Sequence, residues 1–436
     1  MPLNTDERIT IIQGPNGFGK TAILRILNSF FSSRYSELRS IPFDEFNIEF
    51  NNGNRIEIAR ISQNTKEANK VDITLNFYEL GSEKLSFSPE RIKLSSDTEI
   101  PIGMLDDIIP GLDRIDTRKW FYIPTDEVLS LEEVLERFED SLPLKLRLSR
   151  SKKEPEWLNN VKNCIHIRLV ESQRLLNFVP SRSLRPYRRD ASMVSTVSAY
   201  SEDLAKLMQE KFKEYGTISQ SLDRTFPVRV VKQQPSADIT DEQLRQQLNE
   251  LEAIRSSLIE VGLLDKDEES DFQIQSQPID ESTKNVLSVY VEDVEKKLNV
   301  FTETAKKIDL LRKIINNKFA YSYKKISFSK EKGFIFTTFY PSPSTDSKNL
   351  SPTDLSSGEQ HELVLLYELL FKVKPNSLVL IDEPELSLHV GWQIQFLKDL
   401  KDITQLADLD ILMATHSPDI IQDRWDLTVE LKSPNK

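Results

Sequence analysis

Residues 9–21 read ITIIQGPNGFGKT, and this stretch decides the fold class of the chain. The β-branched run at residues 9–12 is typical of a short buried strand. Residues 14–21 match the pattern GxxxxGK[ST], and apolar residues at helical spacing follow them. Glycines let backbone N–H groups converge on phosphate oxygens, and the start of the following helix favours negative charge. The order strand, loop, helix therefore predicts a nucleotide site in an α/β core. Its candidate residues are Gly14, Pro15, Asn16, Gly17, Phe18, Gly19, Lys20 and Thr21.

Two residues of this loop have specific expected roles. The ammonium of Lys20 is expected to reach the β- and γ-phosphates, and the hydroxyl of Thr21 is expected to bind Mg²⁺. Glycine is scarce in this chain, with 12 residues in all, so a chance match to the pattern is improbable.

A second strand ends in paired carboxylates, in SLVLIDE at residues 377–383. A buried strand would deliver Asp382 to Mg²⁺ and leave Glu383 beside the γ-phosphate, where it can polarise the attacking water. Alone, an apolar strand followed by Asp-Glu is often only a strand end. Together with the glycine-rich loop it strongly indicates phosphoryl transfer, because that chemistry needs a metal ligand and a water-positioning group.

The segment LSSGEQ at residues 355–360 precedes a helical pattern and predicts a second anion site. Serine and glycine at a helix start leave N–H donors facing outward, although a plain helix cap is the alternative. The position of Ser357, 25 residues before Asp382 (382 − 357), favours the anion site. The candidate residues are Ser356, Ser357, Gly358, Glu359 and Gln360.

Two polar residues at strand ends complete the candidate set. His416 follows the last apolar strand, in ATHSP, and is expected either to donate to a γ-phosphate or to lie in an exposed loop. Gln173 ends the strand predicted within residues 164–174. It is expected either to bond a Mg²⁺-bound water or to be an ordinary polar turn residue.

Composition excludes several classes of protein. The 436 residues are 29% charged and 38% hydrophobic, which is typical of a soluble globular chain. The net charge is 57 − 69 = −12, and a chain this acidic is not expected to coat nucleic acid, which is itself negative. The single cysteine, Cys164, excludes a disulfide framework and a cysteine-based zinc site. With no secretory signal and no apolar run of membrane-spanning length, we expect a cytoplasmic protein without membrane contact.

Strands alternate with helices at both ends of the chain, which predicts one α/β core with two insertions. The first insertion, at residues 43–100, has the alternation of apolar and polar residues that is typical of a β-sheet.

The second insertion contains an Arg-rich stretch at 175–237, with one helix near 201–215. A helical hairpin formed by 240–262 and 283–318 follows it. Ordinary helix packing and an antiparallel coiled coil are equally consistent with the hairpin. Its first helix is expected to bury Leu244, Leu248, Leu251, Ile254 and Leu258. The predicted division of the chain is 1–175, 176–320 and 321–436.

These motifs, in this order, resemble the head of an ABC-type ATPase of the SMC and RecF branch. GPNGFGKT resembles Walker A, LSSGEQ a variant signature motif, LVLIDEPELSLH Walker B with the D-loop, and ATHSP the switch-histidine segment. Gln173, in VESQR, matches the Q-loop position. The wording EPELSLH and ESQR, with a short hairpin in place of a long coiled coil, most resembles the ATPase subunits of Septu-type and retron-associated anti-phage systems.

The resemblance implies a mechanism that uses two chains. ATP would lie between the protomers of a head-to-tail homodimer, or of a higher oligomer built from it, with Glu383 as general base and His416 as γ-phosphate sensor. Lys20, Thr21, Asp382 and Glu383 of one chain would act with Ser357 and Gly358 of the other. Binding would close the dimer and hydrolysis would reopen it.

The resemblance also implies partners. The expected function is control of a separate effector, expected to be a nuclease, by a sensor and regulatory ATPase of a defence complex. Only 20 residues follow His416 (436 − 416), so no nuclease domain is expected in this chain. The alternative is a RecF- or SMC-like ATPase that acts directly on DNA in repair.

An arginine-rich segment with interleaved aromatic residues is a candidate nucleic-acid surface. A surface that balances nearby acids, or an arginine rim at a protein interface, is an equally consistent interpretation. The residues are Arg174, Phe178, Arg182, Arg185, Tyr187, Arg188 and Arg189.

Overall fold

The computed structural model describes residues 1–65, 68–79, 83–90, 105–109, 111–123, 127–138, 154–170, 176–177, 194–232, 240–266, 279–339, 349–386 and 388–431. The strands are β1 (Ile9–Gln13), β2 (Glu45–Glu49), β3 (Arg55–Thr65), β4 (Ala68–Tyr78), β5 (Leu85–Phe87), β6 (Leu112–Asp116), β7 (Lys119–Tyr122), β8 (Glu127–Ser130), β9 (His166–Val170), β10 (Leu176–Asn177), β11 (Val194–Ser195), β12 (Lys324–Ser329), β13 (Gly333–Thr338), β14 (Asn349–Leu350), β15 (Ser377–Asp382), β16 (Leu409–Ala414) and β17 (Thr428–Glu430). The helices are α1 (Lys20–Phe31), α2 (Tyr35–Ser40), α3 (Leu105–Ile108), α4 (Leu131–Arg137), α5 (Glu156–Cys164), α6 (Thr196–Lys232), α7 (Asp241–Glu260), α8 (Glu281–Asn299), α9 (Thr302–Phe319), α10 (Ser357–Tyr367), α11 (Val390–Ala407) and α12 (Pro418–Ile421).

A parallel sheet of five strands forms the centre, in the order β17–β1–β16–β15–β9. Successive side chains of a strand point to opposite faces, so the sheet is apolar on both sides. Ile12 shares one cluster with Leu24 of α1, whereas Ile11 shares a second cluster with Leu363 of α10 and Phe396 of α11. This sheet, covered by helices on both faces, confirms the predicted α/β class.

The predicted β-rich insertion is an antiparallel sheet in the order β2–β3–β4–β5. The turn between β2 and β3 contains Gly53, whose φ of 83° lies in the left-handed region that glycine adopts readily. Ile56 and Ile58 alternate inward and pack with Phe30 of α1 and Leu158 of α5. The sheet therefore rests on the helix that follows the glycine-rich loop.

A smaller unit follows, built from α3, α4 and the antiparallel strands β6–β7–β8. Trp120 is fully buried at its centre. Helix α4 begins with a capping box between Ser130 and Glu133.

The helical insertion differs from its prediction in three ways. The helix expected near 201–215 is much longer, since α6 has 37 residues. The single helix expected at 283–318 is divided into α8 and α9, with Phe301 fully buried at the division. Ile254 is 45% exposed instead of buried, while the four predicted leucines of α7 are buried.

The predicted hairpin is present as α7 and α8, and α6 packs against α8. No helix in the described ranges is both long and apolar enough to cross a membrane.

The helical insertion and the head share one apolar core, because α6 packs on α10 and on the β12–β13 hairpin. Gly333 marks the closest approach: a Cβ there would lie 1.9 Å from the carbonyl oxygen of Ser201 in α6. Its φ of 71° also favours glycine. At the other end of the insertion, α9 packs on α10 and α11. The insertion is therefore continuous with the elements that carry the second half of the sequence motifs.

Candidate functional site

The ends of three adjacent parallel strands bring the sequence motifs together. β16 lies between β1 and β15, and Ile12, Ala414 and Asp382 occupy one row across the three strands. Ligands of open α/β sheets bind outside the carboxyl ends of the strands. Backbone hydrogen bonds continue past the strand ends: the N–H of Glu383 donates to the carbonyl oxygen of Ala414 at 2.9 Å, and that of Thr415 to Ile12 at 3.3 Å. The glycine-rich loop, the Asp-Glu pair and the histidine segment therefore start from one edge.

The glycine-rich loop joins β1 directly to α1. Gly17 and Gly19 have φ values of 84° and 89°, which favour glycine, and Gly19 is the residue before the helix. The ammonium of Lys20 lies within the loop, where it donates to the carbonyl oxygens of Gly14 at 2.7 Å and Pro15 at 3.3 Å. The remaining predicted loop residues, Pro15, Asn16 and Phe18, are exposed.

Thr21 and Asp382 meet across the gap between α1 and β15. The hydroxyl of Thr21 donates to Oδ1 of Asp382 at 3.1 Å. Burial raises the pKa of Asp382, and the negative charges of Glu383 and Glu385 raise it further, although Thr21 and Lys20 act in the opposite direction. A hydroxyl and a carboxylate in hydrogen-bond contact are oxygen ligands of the kind that Mg²⁺ prefers, completed in such sites by phosphate oxygens and water. The residues present therefore fit a magnesium ion.

No cluster of His, Cys, Asp and Glu large enough to hold a metal by itself occurs in the part of the chain that the structure describes. Mg²⁺ commonly binds through one or two carboxylates together with the phosphates of its nucleotide. Thr21 and Asp382 would thus act together with a bound nucleotide.

Glu383 has an unusual backbone conformation. Its φ of 42° is in the left-handed region, which costs a non-glycine residue about 1–2 kcal/mol. The bond from its N–H to Ala414 and the following 3-10 turn at Pro384–Leu386 hold it in place. Its side chain is half-buried, directly after Asp382.

Glu385 is a site residue that the sequence analysis missed. Its Oε2 accepts a hydrogen bond from Thr415 Oγ1 at 2.8 Å, and its Oε1 accepts one from the N–H of His416 at 2.9 Å. The same Oε1 lies 2.8 Å from Nδ1 of His416. In the sequence Glu385 resembles an ordinary turn residue, and its partners Thr415 and His416 follow 30 and 31 positions later (415 − 385 and 416 − 385). The signal that could have found it is the adjacency of β15 and β16, which places both strand ends side by side.

The signature segment has an inward and an outward half. Ser356 caps α10: its hydroxyl accepts from the N–H of Glu359 at 3.3 Å, while Glu359 accepts from the N–H of Ser356 at 2.7 Å. Glu359 is buried and also accepts from Ser322 at 2.6 Å and Lys324 at 2.8 Å. Burial alone would raise the pKa of Glu359, but the hydrogen bonds from Lys324, Ser322 and Ser356 outweigh it and lower the pKa.

Gln360 also turns inward, and its Nε2 donates to the carbonyl oxygen of Leu355 at 2.8 Å. Ser356 and Ser357 are exposed, and Gly358 is half-buried. In the described part of the chain no hydrogen bond joins residues 355–360 to residues 14–21. In the single chain, the serines of the outward half therefore face solvent instead of the phosphate loop.

Two groups of predicted residues lie outside the described ranges. They are Gln173, expected at the metal, and the arginine and aromatic residues between Arg174 and Arg189, expected at a nucleic-acid surface.

Comparison with known proteins gives a family match over nearly the whole chain. The sequence profile described as "AAA ATPase domain" (AAA_15) matches residues 2–421. The Septu protein PtuA of Bacillus thuringiensis is 30% identical over 135 residues, which are 28% of this chain and 34% of that protein. The chain thus spans about a third of the curated relative that it matches. This match confirms the resemblance to a Septu protein predicted from the motifs.

Among solved structures, two SMC heads align with the chain at low similarity. The Smc head domain with an extended coiled coil bound to the C-terminal domain of ScpA, from Pyrococcus furiosus, is 12% identical, with 97% of this chain and 86% of that one covered and a TM-score of 0.30. The SmcHead bound to the C-winged helix domain of ScpA is 10% identical, with 97% and 85% covered and a TM-score of 0.28. TM-scores this low do not establish a common arrangement of the whole chain.

Proposed function

The chain belongs to the AAA_15 family of AAA ATPase domains, and we propose that it binds ATP with Mg²⁺ and hydrolyses it as the regulatory subunit of an anti-phage defence complex. One observation carries the enzymatic part of the proposal. The candidate residues lie at the carboxyl ends of β1, β15 and β16, which are neighbours in one parallel sheet. Lys20 and Thr21 come after β1, Asp382 and Glu383 lie at the end of β15, and His416 comes after β16, with Thr21 bonded to Asp382. This is the arrangement that phosphoryl transfer requires, because that chemistry depends on positioning and electrostatic stabilisation.

Each residue has a role in the proposed reaction. The backbone N–H groups of the loop and the ammonium of Lys20 bind the phosphates. Thr21 and Asp382 would hold Mg²⁺, with Gln173 as a further proposed contact, and a bound ion would neutralise charge on the phosphate oxygens. Glu383 orients the attacking water and accepts its proton, and His416 contacts the γ-phosphate.

The signature segment acts on a second chain in this proposal. Its outward residues, Ser356, Ser357 and Gly358, make no hydrogen bond to the phosphate loop of their own chain within the described residues. We place them against the γ-phosphate held by the other protomer of a head-to-tail homodimer. Glu359 and Gln360 shape the segment from inside, since both side chains bond within the chain. ATP closes the dimer because the closed state binds it more tightly, and hydrolysis reopens it.

The biological part of the proposal rests on the partial match to the Septu protein and on the motif wording shared with Septu-type and retron-associated ATPases. In this role the dimer controls a separate effector, which we propose to be a nuclease. A direct action on DNA in repair is the second candidate, supported by the arginine-rich sequence at residues 174–189.

The enzymatic proposal is tested with Glu383→Gln. Removing the base while keeping the side-chain size should abolish turnover and leave ATP binding intact, so ATP should convert the variant into a stable dimer. Sedimentation with ATP, with ADP and without nucleotide measures this conversion, and Lys20→Ala, which should not bind ATP, is the control. A monomer–dimer balance of Glu383→Gln that ATP leaves unchanged would disprove dimer closure.

The biological proposal is tested by recovering tagged Glu383→Gln from its native host after nuclease treatment. A companion protein in fixed ratio, retained with ATP, supports control of an effector. Recovery that requires intact nucleic acid, with no fixed protein companion, supports the repair function instead.

A further inference from the structure

The carboxylate of Glu385 is almost buried and serves one short segment. Its side chain is 7% exposed, and its two oxygens accept hydrogen bonds from the hydroxyl of Thr415 and the N–H of His416. A buried carboxylate is costly unless such donors satisfy it. The third group near it is the ring of His416, with Nδ1 at 2.8 Å.

The chemistry of a carboxylate decides which ring nitrogen of His416 carries a proton. Nδ1 of His416 lies 2.8 Å from Oε1 of Glu385, and because an ionised carboxylate only accepts hydrogen bonds, this contact favours a ring that carries its proton on Nδ1. The other nitrogen, Nε2, then faces away from Glu385. The His416 side chain is 46% exposed, so Nε2 remains accessible to a molecule bound at this edge of the sheet.

Hydrogen bonds also fix the backbone on both sides of His416. Thr415 is fully buried, and its hydroxyl accepts from the N–H of Ser417 at 3.0 Å while donating to Glu385. The hydroxyl of Ser417 in turn donates to Gln393 of α11 at 2.7 Å. His416 is thus an exposed side chain on a segment fixed by buried hydrogen bonds on both sides.

A second histidine provides a natural contrast. Nδ1 of His389, at the start of α11, accepts a hydrogen bond from the N–H of Gly391 at 3.2 Å. In its neutral form His389 must therefore carry its proton on Nε2, the reverse of His416. The chain has four histidines, so their ring signals are few enough to resolve.

We propose that Glu385 is a positioning residue for ATP hydrolysis, which holds His416 in its Nδ1–H form and presents Nε2 to the terminal phosphate. The inference rests on the proposed ATPase function. Since a phosphate also only accepts hydrogen bonds, Nε2 contacts it as a donor in the doubly protonated ring, whose Nδ1–H stays directed at Glu385.

The first test reads the tautomers directly, by nitrogen NMR of the unaltered protein carrying ¹⁵N-labelled histidine. At a pH well above the usual histidine range, His416 should show a protonated Nδ1 and His389 a protonated Nε2. His416→Asn and His389→Asn assign the signals. A protonated Nε2 on His416, or an averaged mixture of the two forms, overturns the proposal whatever any variant does.

The second test uses Glu385→Gln, which keeps the size of the side chain but replaces one acceptor by an NH₂ donor. The His416 signal should lose its pure Nδ1–H pattern while that of His389 stays unchanged, which also reports that the variant is folded. Turnover of ATP should fall by about 10- to 100-fold, the usual effect of removing such a supporting partner, with KM changed much less than kcat.

A double-mutant cycle separates positioning from a general structural role. In a His416→Asn background, Glu385→Gln should have little further effect on turnover, because the group through which it acts is already absent. An equally large loss in that background would show that Glu385 acts on the fold, and would overturn the proposal. Absence of ATPase activity in the unaltered protein would instead contradict the proposed function and leave the tautomer measurement to stand on its own.

Discussion

In the signature segment, two neighbouring serines are expected to have different effects, one on stability and the other on function. Ser356 caps α10 through its bond with the N–H of Glu359, whereas its neighbour Ser357 is exposed at the first position of the helix. The two hydroxyls are adjacent in sequence, but only that of Ser356 accepts the hydrogen bond of the helix cap. Substituting each should therefore have opposite consequences.

Ser356→Ala is expected to reduce the free energy of unfolding by about 1 kcal/mol, the usual value of a lost N-cap. Ser357→Ala, the matched control, should change stability by less than about 0.5 kcal/mol. If Ser357 contacts the partner's nucleotide as proposed, Ser357→Ala should nevertheless reduce ATP-driven dimerisation. Urea unfolding and sedimentation measure the two effects, and equal losses of stability would contradict the assignment of the cap.

Glu359 makes part of the stability dependent on pH. Its lowered pKa means that the folded chain favours the ionised form, so its contribution is present above the ordinary glutamate pKa of 4.5 and is lost as the pH falls through and below that value. Glu359→Gln should be less stable than the unaltered chain at neutral pH, and the difference should narrow in acid. Unfolding curves across this range test it, with exposed Glu210→Gln as the control for loss of one charge. A difference that is constant with pH would contradict the argument.

Among single residues, the sequence predicted those that belong to a local motif, such as Lys20 and Asp382. Such a motif is recognised from residues adjacent in the chain. The sequence did not predict Glu385, because the hydrogen bonds of that residue are made to another strand end and no local pattern records them. For the same reason it grouped Glu359 with the exposed residues of its motif, although Lys324 from β12 draws it inward.

Among the secondary-structure elements, α6 was the one most underestimated from sequence. The buried residues of this helix all lie in its first third: Thr196, Val197, Ser201, Leu204, Ala205 and Met208. Beyond Met208 the apolar residues Phe212, Tyr215, Ile218, Leu222 and Phe226 keep the helical spacing, but they are exposed or half-buried, and Pro227 follows them. Polar contacts with α8 also hold that part. The division between α8 and α9 was missed because Phe301 continues the apolar spacing through the break.

The strongest of these contacts joins Arg229 of α6 to Asp293 of α8. The guanidinium bonds both carboxylate oxygens, with Nη2 at 2.6 Å from Oδ2, and Nη2 also donates to the carbonyl oxygen of Leu222 at 2.9 Å. Asp293 is buried, with a side chain 4% exposed. A planar bidentate donor fits this site, and a lysine, which offers only a point charge, would replace it only in part.

Arg229→Ala is expected to destabilise the helical insertion by about 1.5–3 kcal/mol, because it leaves a buried carboxylate without its partner. Arg229→Lys should recover only part of the loss. Lys296→Ala, which breaks an exposed pair with Glu292 on the same helix, should cost less than about 1 kcal/mol. Hydrogen exchange of α6 and α8 locates the effect, and similar protection in Arg229→Ala and Lys296→Ala would contradict it.

On the scale of the whole molecule, one buried ion triad joins the helical insertion to two helices in the C-terminal half of the motif-bearing head. Lys318 of α9 contacts Glu362 of α10, and its Nζ lies 2.8 Å from Oδ2 of Asp399 in α11. Burial would lower the pKa of Lys318, but the two carboxylates outweigh it and raise the pKa. The ammonium therefore stays charged between the helix of the signature segment and the helix that follows Glu385.

Lys318→Met should cost about 3–5 kcal/mol, because two carboxylates remain in the core without a counter-charge. The triple variant Lys318→Met, Glu362→Leu, Asp399→Leu should recover most of that loss, since packed apolar groups often replace a buried ion pair without penalty. Urea unfolding compares the two. A triple variant no more stable than Lys318→Met would show that the triad contributes more than compensation of charge.

The order of the central sheet has a consequence for how the protein is made. β1 precedes both of its neighbours, β16 and β17, by 400 residues or more (409 − 9), and Ile12 pairs with Ala414 across 402 positions (414 − 12). During synthesis the glycine-rich loop therefore leaves the ribosome well before Asp382 and His416 can lie beside it. Contacts of such long range are slow to form. A nascent chain that has not yet reached β15 and β16 has the loop without the strands that complete the site, so the complete site forms only after these strands have been made.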